Sequence, residues 1–245
     1  RVGMLHRGPE EHRLVIAVHH IVADFWSLGV LLGELSMLYR AAGDPGAIGG
    51  LLAPLRSTYA EHVRRQESRL AGPDGERLWQ FWRRELEGCR QVLDLPTDRP
   101  RAKLQTFRGD SRSSRLDAAR TGRLRALARE QGTTFFATLL AAFQSLLYRY
   151  TGQEDILVGS PTAGRSSALV AGLIGYFVNP VVLRGDLGSD PGFSELLGRV
   201  RQTVLAALAN RAFPFPLLAE RLAPERDPAR SPIFQVTLAY EQERS

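Results

Sequence analysis

The sequence predicts a mixed α/β fold built in layers, on three observations. Apolar, β-branched runs intermingle with segments of helical periodicity. Strands and helices do not follow a regular βαβ repeat, which favours mixed strands over a purely parallel sheet. No internal repeat or low-complexity tract is visible. The 245 residues, 44% hydrophobic and 24% charged, can bury a substantial core as one large domain or two small ones.

The first strand is read at Arg13 to Val18, an apolar run that follows Gly8-Pro9 and reads as buried. Leu28, Leu31, Leu32, Leu35 and Leu38 predict a helix from Ser27 to Ala41, with Ser27 as N-cap and Gly43 as stop. A second helix is expected from about Pro54 to Leu70. Gly72-Pro73-Asp74-Gly75 breaks it, and a third runs from Glu76 to Glu87 with Trp79 and Trp82 on one face as packing anchors. Leu93 to Gly109 has clustered Pro, Asp and Arg without periodicity and reads as a linker.

Beyond it the reading is strand Ser111 to Leu116, helix Ala118 to Gln131 capped by Asp117, and helix Thr134 to Tyr150 capped by Thr133 and ended by Gly152. Strand Ile156 to Gly159 follows, then a short apolar helix or turn near Leu169 to Leu173. Strand Phe177 to Leu183, helix Phe193 to Asn210 and strand Ile233 to Tyr240 complete the order. The domain organisation expected is 1–92, a linker at 93–110, and 111–245.

Composition narrows the function. The lone Cys89 allows no intramolecular disulfide and no cysteine zinc cluster, which fits a reducing, cytoplasmic setting. No apolar run approaches the roughly 20 residues of a membrane helix, and the first residues lack a signal peptide's apolar region, so no membrane partner is expected. The net charge of +6 raises nucleic acid as a partner. Yet only Lys103 among 32 basic residues is lysine, and Arg and Glu alternate along helical stretches as on a solvated face. No nucleic-acid partner is expected.

One dense polar cluster remains: His19-His20-Ile21-Val22-Ala23-Asp24, where strand gives way to helix. Successive strand side chains point to opposite faces, so at most one of the two histidines faces a cleft. An imidazole there can accept a proton or hold a nucleophile. The alternatives are a satisfied polar pair at a strand end, or a metal site, for which His6, His12 and His62 lack ligand spacing. Ser160 is not in a Gly-x-Ser-x-Gly elbow, and Cys89 has no implied partner.

His-His-x-x-x-Asp after a strand resembles the His-His-x-x-x-Asp-Gly motif of nonribosomal peptide synthetase condensation domains, relatives of chloramphenicol acetyltransferase and other coenzyme-A-dependent acyltransferases. Further matches follow in order. Tyr59-Ala60-Glu61 resembles the family's Tyr-x-Asp element, and Asp155 through Arg165 is similar to a characteristic segment. Ile174-Gly175-Tyr176-Phe177-Val178-Asn179 matches Ile-Gly-x-Phe-Val-Asn. Pro214-Phe215 with Leu217, Leu218 and Leu222, and Arg226-Asp227 with Ser231 through Val236, resemble two later elements.

The resemblance implies a chloramphenicol acetyltransferase-like fold of two layered lobes, the N-terminal one incomplete here, with a tunnel between them. Peptidyl or acyl carrier proteins would deliver phosphopantetheine-bound substrates into it, beside adjacent synthetase domains, with no intrinsically bound cofactor and no metal. The acceptor amine would attack the donor thioester. His20 would serve the reaction, with His19 and Asp24 architectural. Phe25, Trp26, Ser160, Asn179 and Gln235 would line the tunnel. Epimerisation, coenzyme-A-dependent acyl transfer and non-catalytic recruitment are the alternatives.

Three departures stand out. Phe25 replaces the motif glycine, and Pro180 follows Asn179 where a small polar residue is usual. The family also carries elements before His19 and after Tyr240 that this sequence leaves no room for, including an arginine expected to pair with the motif aspartate. Asp24 is therefore expected to be solvated or to have another partner.

Overall fold

The computed structural model describes residues 1–43, 45–48, 50–106, 108–165, 167–223 and 227–241. Its contacts group into two compact units, one of residues 1–71 and 163–178, the other of 72–162 and 179–245. The stretch read as a linker, 93–110, falls inside the second unit and has no helix or strand among its described residues.

In the first unit, β1 (Val2–His6) and β2 (His12–Ile16) form an antiparallel hairpin in the register Val2↔Ile16 to His6↔His12. β1 was not foreseen. The strand expected to be buried is exposed instead, because β2 pairs only with β1 in a two-stranded ribbon and its apolar side chains meet no layer. After a turn comes α1 (Phe25–Ala41), followed by the short α2 (Pro45–Ile48).

Asp24, not Ser27, caps α1: its Oδ1 accepts the Ser27 amide at 2.7 Å, and Ala42 rather than Gly43 ends the helix. α3 (Tyr59–Ala71) begins five residues later than expected. A reciprocal capping box sets that start, with the Glu61 amide donating to Thr58 Oγ1 at 3.2 Å and the Thr58 amide to Glu61 Oε2 at 3.0 Å. The unit is completed by residues 163–178, which contain a 3₁₀ turn at Ala168–Val170 and the buried cluster Val170, Leu173 and Phe177.

The second unit opens with α4 (Pro73–Glu85): the preceding helix breaks at Gly72 as expected, and Pro73 starts the next one three residues earlier than read, since a first-turn residue needs no amide donor. Trp82 is buried and its Nε1 donates to the Asn210 carbonyl at 3.1 Å, the anchoring expected of it. α5 (Ala118–Glu130), capped by Asp117, and α6 (Phe135–Thr151), closed by left-handed Gly152, lie where the periodicity placed them, though Thr134 and not Thr133 caps α6, its side chain accepting the Ala137 amide. Residues 111–116 form no strand; they are exposed and irregular.

β3 (Asp155–Thr162) and β4 (Asn179–Asp186) pair antiparallel along their whole length. α6 and α7 (Phe193–Ala209) pack on this ribbon, enclosing Leu140, Ile156, Val158, Leu183, Leu197 and Val200. α8 (Phe215–Leu222) follows, unforeseen. The expected strand Ile233 to Tyr240 is reduced to a single parallel bridge, Gly159↔Thr237. The positive φ of Ile233 (67°) takes the first residue of that segment out of extended conformation. Gly159 is required there: a Cβ would lie 2.3 Å from Phe234 Cε2.

Candidate active site

The His-His-x-x-x-Asp segment lies in the first unit, in the turn between β2 and α1. The Val22 amide donates to the His19 carbonyl at 3.1 Å, closing the turn. The two histidines are fixed in opposite ways. His19 Nδ1 accepts the Ile21 amide at 3.1 Å, so that nitrogen is unprotonated. His20 Nδ1 lies 2.9 Å from the Ala23 carbonyl, which can only accept, so Nδ1 carries a proton and, in the neutral ring, the lone pair is on Nε2. His20 is exposed, and its ring meets Tyr176 edge to face at 5.2 Å.

Asp24 is the structural centre. Both its exposure and that of the Arg165 side chain are negligible, at 1% and 2%. Its Oδ1 accepts from the Ser27 amide and hydroxyl, each at 2.7 Å, and from Arg165 Nη2 at 3.1 Å; Oδ2 accepts the Phe177 amide at 3.1 Å. Burial pushes this carboxyl up, but the bonds from Ser27, Arg165 and Phe177 outweigh it and hold it below its ordinary value.

The arginine for the motif aspartate is thus supplied from downstream rather than lost. Arg165 was read only as the end of a matched segment; 141 residues of sequence separate it from Asp24, and no periodicity links them. Its Nη1 also donates to the carbonyls of Val170 (2.6 Å) and Leu173 (2.8 Å), and its guanidinium stacks over Phe177 at 4.0 Å. Ser27, expected as a cap, is instead a hub. Its single hydroxyl proton is shared between Asp24 Oδ1 and the Gly175 carbonyl, each 2.7 Å away, and its oxygen accepts the Gly175 amide at 3.0 Å and Arg165 Nη2 at 2.8 Å.

Phe25 is 76% exposed and begins α1 with no positive φ, so the residue in the glycine's place is not strained. Trp26 is half-buried, its Nε1 donating to the Ala171 carbonyl at 2.9 Å. The other sequence candidates lie in the second unit, and their polar atoms are committed to backbone. Ser160 donates to Leu238. Asn179 donates to Arg211 and Phe213 and accepts from Phe215. Gln235 accepts from Leu93 and donates to Gln91 and Ser231.

Among the described residues no group of three or more His, Cys, Asp and Glu could hold a metal ion. No helix among them is long and apolar enough to cross a membrane. Cys89 is half-buried, and burial, followed by the charge of Asp155, pushes its thiol up, away from a reactive thiolate. Arg226, part of one matched element, lies outside the described residues.

A family model described as the condensation domain matches residues 1–244. The chain belongs to the condensation domain family. It is 44% identical over 241 residues to phosphinothricin tripeptide synthetase PhsB of Streptomyces viridochromogenes, covering 98% of this chain and 20% of that protein. It is 38% identical over 243 residues to malpinin synthetase of Mortierella alpina, covering 98% of this chain and 3% of that protein. This condensation domain therefore spans a small part of the synthetases it matches.

Among solved structures, the X-domain from teicoplanin biosynthesis superposes with a TM-score of 0.86 at 30% identity, over 97% of this chain and 53% of that one. The first condensation domain of the CDA synthetase gives 0.68 at 23% identity, over 98% and 50%, a likeness of fold alone. The fold is the mixed α/β, chloramphenicol acetyltransferase-like class that the motif resemblance implied.

Proposed function

We propose that this condensation domain joins a carrier-bound acyl or peptidyl thioester to the amine of a carrier-bound aminoacyl group, forming an amide with His20 as the working imidazole. The observation that carries the reading is the fixed tautomer. With Nδ1–H spent on the Ala23 carbonyl, the unprotonated Nε2 is the nitrogen left for chemistry on an exposed ring.

The acceptor nitrogen attacks the thioester carbonyl carbon, His20 Nε2 takes the amine proton, and the tetrahedral oxyanion collapses with breakage of the C–S bond. The proton returns to the departing thiolate, so amide and free phosphopantetheine thiol leave with atoms and charge balanced. Positioning of two tethered reactants can supply about 7–11 kcal/mol of such a barrier, and the imidazole a further ~10²–10⁴ in rate. His19 shapes the turn. Asp24 fixes the start of α1 that follows it.

The partners proposed are donor and acceptor carrier proteins and adjacent synthetase domains, in the cytoplasm, with phosphopantetheine arriving on the substrate. Synthetase relatives at 44% and 38% identity support this setting. Phe25 and Trp26 are the proposed contacts for substrate beside the motif.

The test is product analysis with the full-length polypeptide and loaded carrier proteins. A new amide linking donor and acceptor, diminished by His20→Ala, supports the reading. Inversion of the acceptor α-carbon without an amide indicates epimerisation, and equal use of free coenzyme A thioesters indicates a coenzyme-A-dependent acyltransferase. Either overturns the proposal.

A second reading, non-catalytic recruitment, is favoured by one observation: the X-domain of teicoplanin biosynthesis, 30% identical, is solved in complex with OxyB. It predicts no amide from any carrier pair, whatever residue stands at position 20.

A further inference from the structure

The imidazole of His20 is fixed at one end only, by the hydrogen bond from Nδ1 to Ala23. With the covalent link at Cγ that bond sets the ring plane, and it holds only while the ring is kept from swinging away from Ala23. The second contact is the half-buried ring of Tyr176, set edge to face against it with an interplanar angle of 85°. Aromatic pairs in that arrangement gain from the positive edge of one ring meeting the negative face of the other.

What makes this contact more than a chance neighbour is how the backbone of Tyr176 is held. The residues on either side are pinned to the start of α1. The Gly175 carbonyl accepts the Asp24 amide and the Ser27 hydroxyl, and the Phe177 amide donates to Asp24. Tyr176 itself is held by α3. The Tyr59 hydroxyl donates to the Tyr176 carbonyl at 2.8 Å, and the Tyr59 ring lies so close over Gly175 that a Cβ there would fall 2.4 Å from Tyr59 Cδ2. The same ring meets Phe177 edge to face at 5.2 Å. Three consecutive residues are thus fixed from two helices, and the side chain of the middle one is turned to His20.

We infer that Tyr176 is a positioning residue for His20, and that Tyr59 holds it in that role through the Tyr176 carbonyl. The inference rests on His20 as the working imidazole and adds a residue that neither the motif nor its hydrogen bonds identify. Tyr176 limits the ring to orientations that keep Nδ1 on the Ala23 carbonyl, and its effect is therefore on the bond-forming step and not on substrate capture.

The test is a cycle of variants in the full-length polypeptide, read by single-turnover amide formation from loaded carriers and by KM for the acceptor carrier. Tyr176→Ala is expected to slow bond formation at least tenfold with KM unchanged, and Tyr176→Phe to recover most of that loss, since the ring and not its hydroxyl makes the contact. Tyr59→Phe, which loses only the bond to the carbonyl, is expected to fall between them.

In a His20→Ala background, Tyr176→Ala is expected to cost nothing further. A tenfold loss in both backgrounds would show that Tyr176 acts independently of His20 and overturn the inference, as would no loss in the wild-type background. If His20→Ala alone leaves the rate unchanged, the reading of His20 fails first and the inference with it. The ring resonances of His20 give a readout free of turnover: they are expected to shift in Tyr176→Ala and stay in Tyr176→Phe, and unmoved resonances in Tyr176→Ala would refute the contact.

Discussion

Replacing Asp24 with alanine removes four hydrogen bonds and leaves Arg165 as a buried charge without its carboxylate. Loss of a helix N-cap costs about 0.5–2 kcal/mol, and breaking one side of a buried ion pair about 3–5 kcal/mol. The same carboxylate makes both interactions, so the two do not add, and about 4 kcal/mol is expected for the first unit. That is a large fraction of the roughly 5–15 kcal/mol that stabilises a domain.

Amide hydrogen exchange locates the loss. Ser27 and Phe177, whose amides donate to Asp24, should lose about a thousandfold in protection, since each tenfold is about 1.4 kcal/mol. Amides of the β3–β4 ribbon in the second unit should change much less. Arg165→Met alone should be comparably costly, because it takes the one cation from the buried Asp24 carboxylate and a donor from each of the Val170 and Leu173 carbonyls. The pair Asp24→Asn with Arg165→Met should recover about 2 kcal/mol relative to the sum of the single changes. A loss below about 1 kcal/mol at Ser27 and Phe177, or additivity in the pair, would refute the argument that this cluster holds the turn.

Other outcomes follow from the same geometry. Asp24 is held below its ordinary value, so its stabilisation is fully present above about pH 4 and lost as pH falls through the lowered folded value; acid titration of Ser27 protection reads this, and Asp24→Asn should abolish it. Burial, followed by the charges of Arg65 and Arg165, pushes His62 down. The unfolded chain then binds its proton first, so stability should decline as pH falls below about 6.5, and His62→Gln should flatten that part of a stability–pH curve. Gly159→Ala places a Cβ against the Phe234 ring and should cost about 1–3 kcal/mol in denaturant unfolding followed at the second unit.

What the sequence discloses about the site is its local part. His20, His19 and Asp24 are adjacent in the chain, and a strand-to-helix junction is enough to bring them together. Arg165, Ser27 as a hub and Tyr176 are the non-local part: their roles depend on residues 163–178 returning to the first unit, and nothing in the spacing of the sequence encodes that return. Phe177 shows how the two levels compete. Its apolar run reads as strand, but its amide is taken by Asp24, and β4 begins two residues later, at Asn179.

The fold divides in the same way. α5, α6 and α7 are legible because apolar periodicity is sustained across each segment; the cap is read correctly at α5, one residue early at α6, and α7 has no side-chain cap. β2 was placed near its true position but read as buried, since an apolar pattern reports what a residue favours and not whether a layer lies against it. The segment from Ile233 to Tyr240 has strand-like composition, yet among the described residues it makes a single bridge and its first residue has a positive φ, features that β propensity does not report.

The most direct measurement is single-turnover amide formation between donor- and acceptor-loaded carrier proteins by the full-length polypeptide, compared with His20→Ala. Loss of about 10²–10⁴ in the bond-forming rate, with carrier affinity and Ser27 amide protection intact, is the predicted result. An undiminished rate would contradict the assignment of the chemistry to His20.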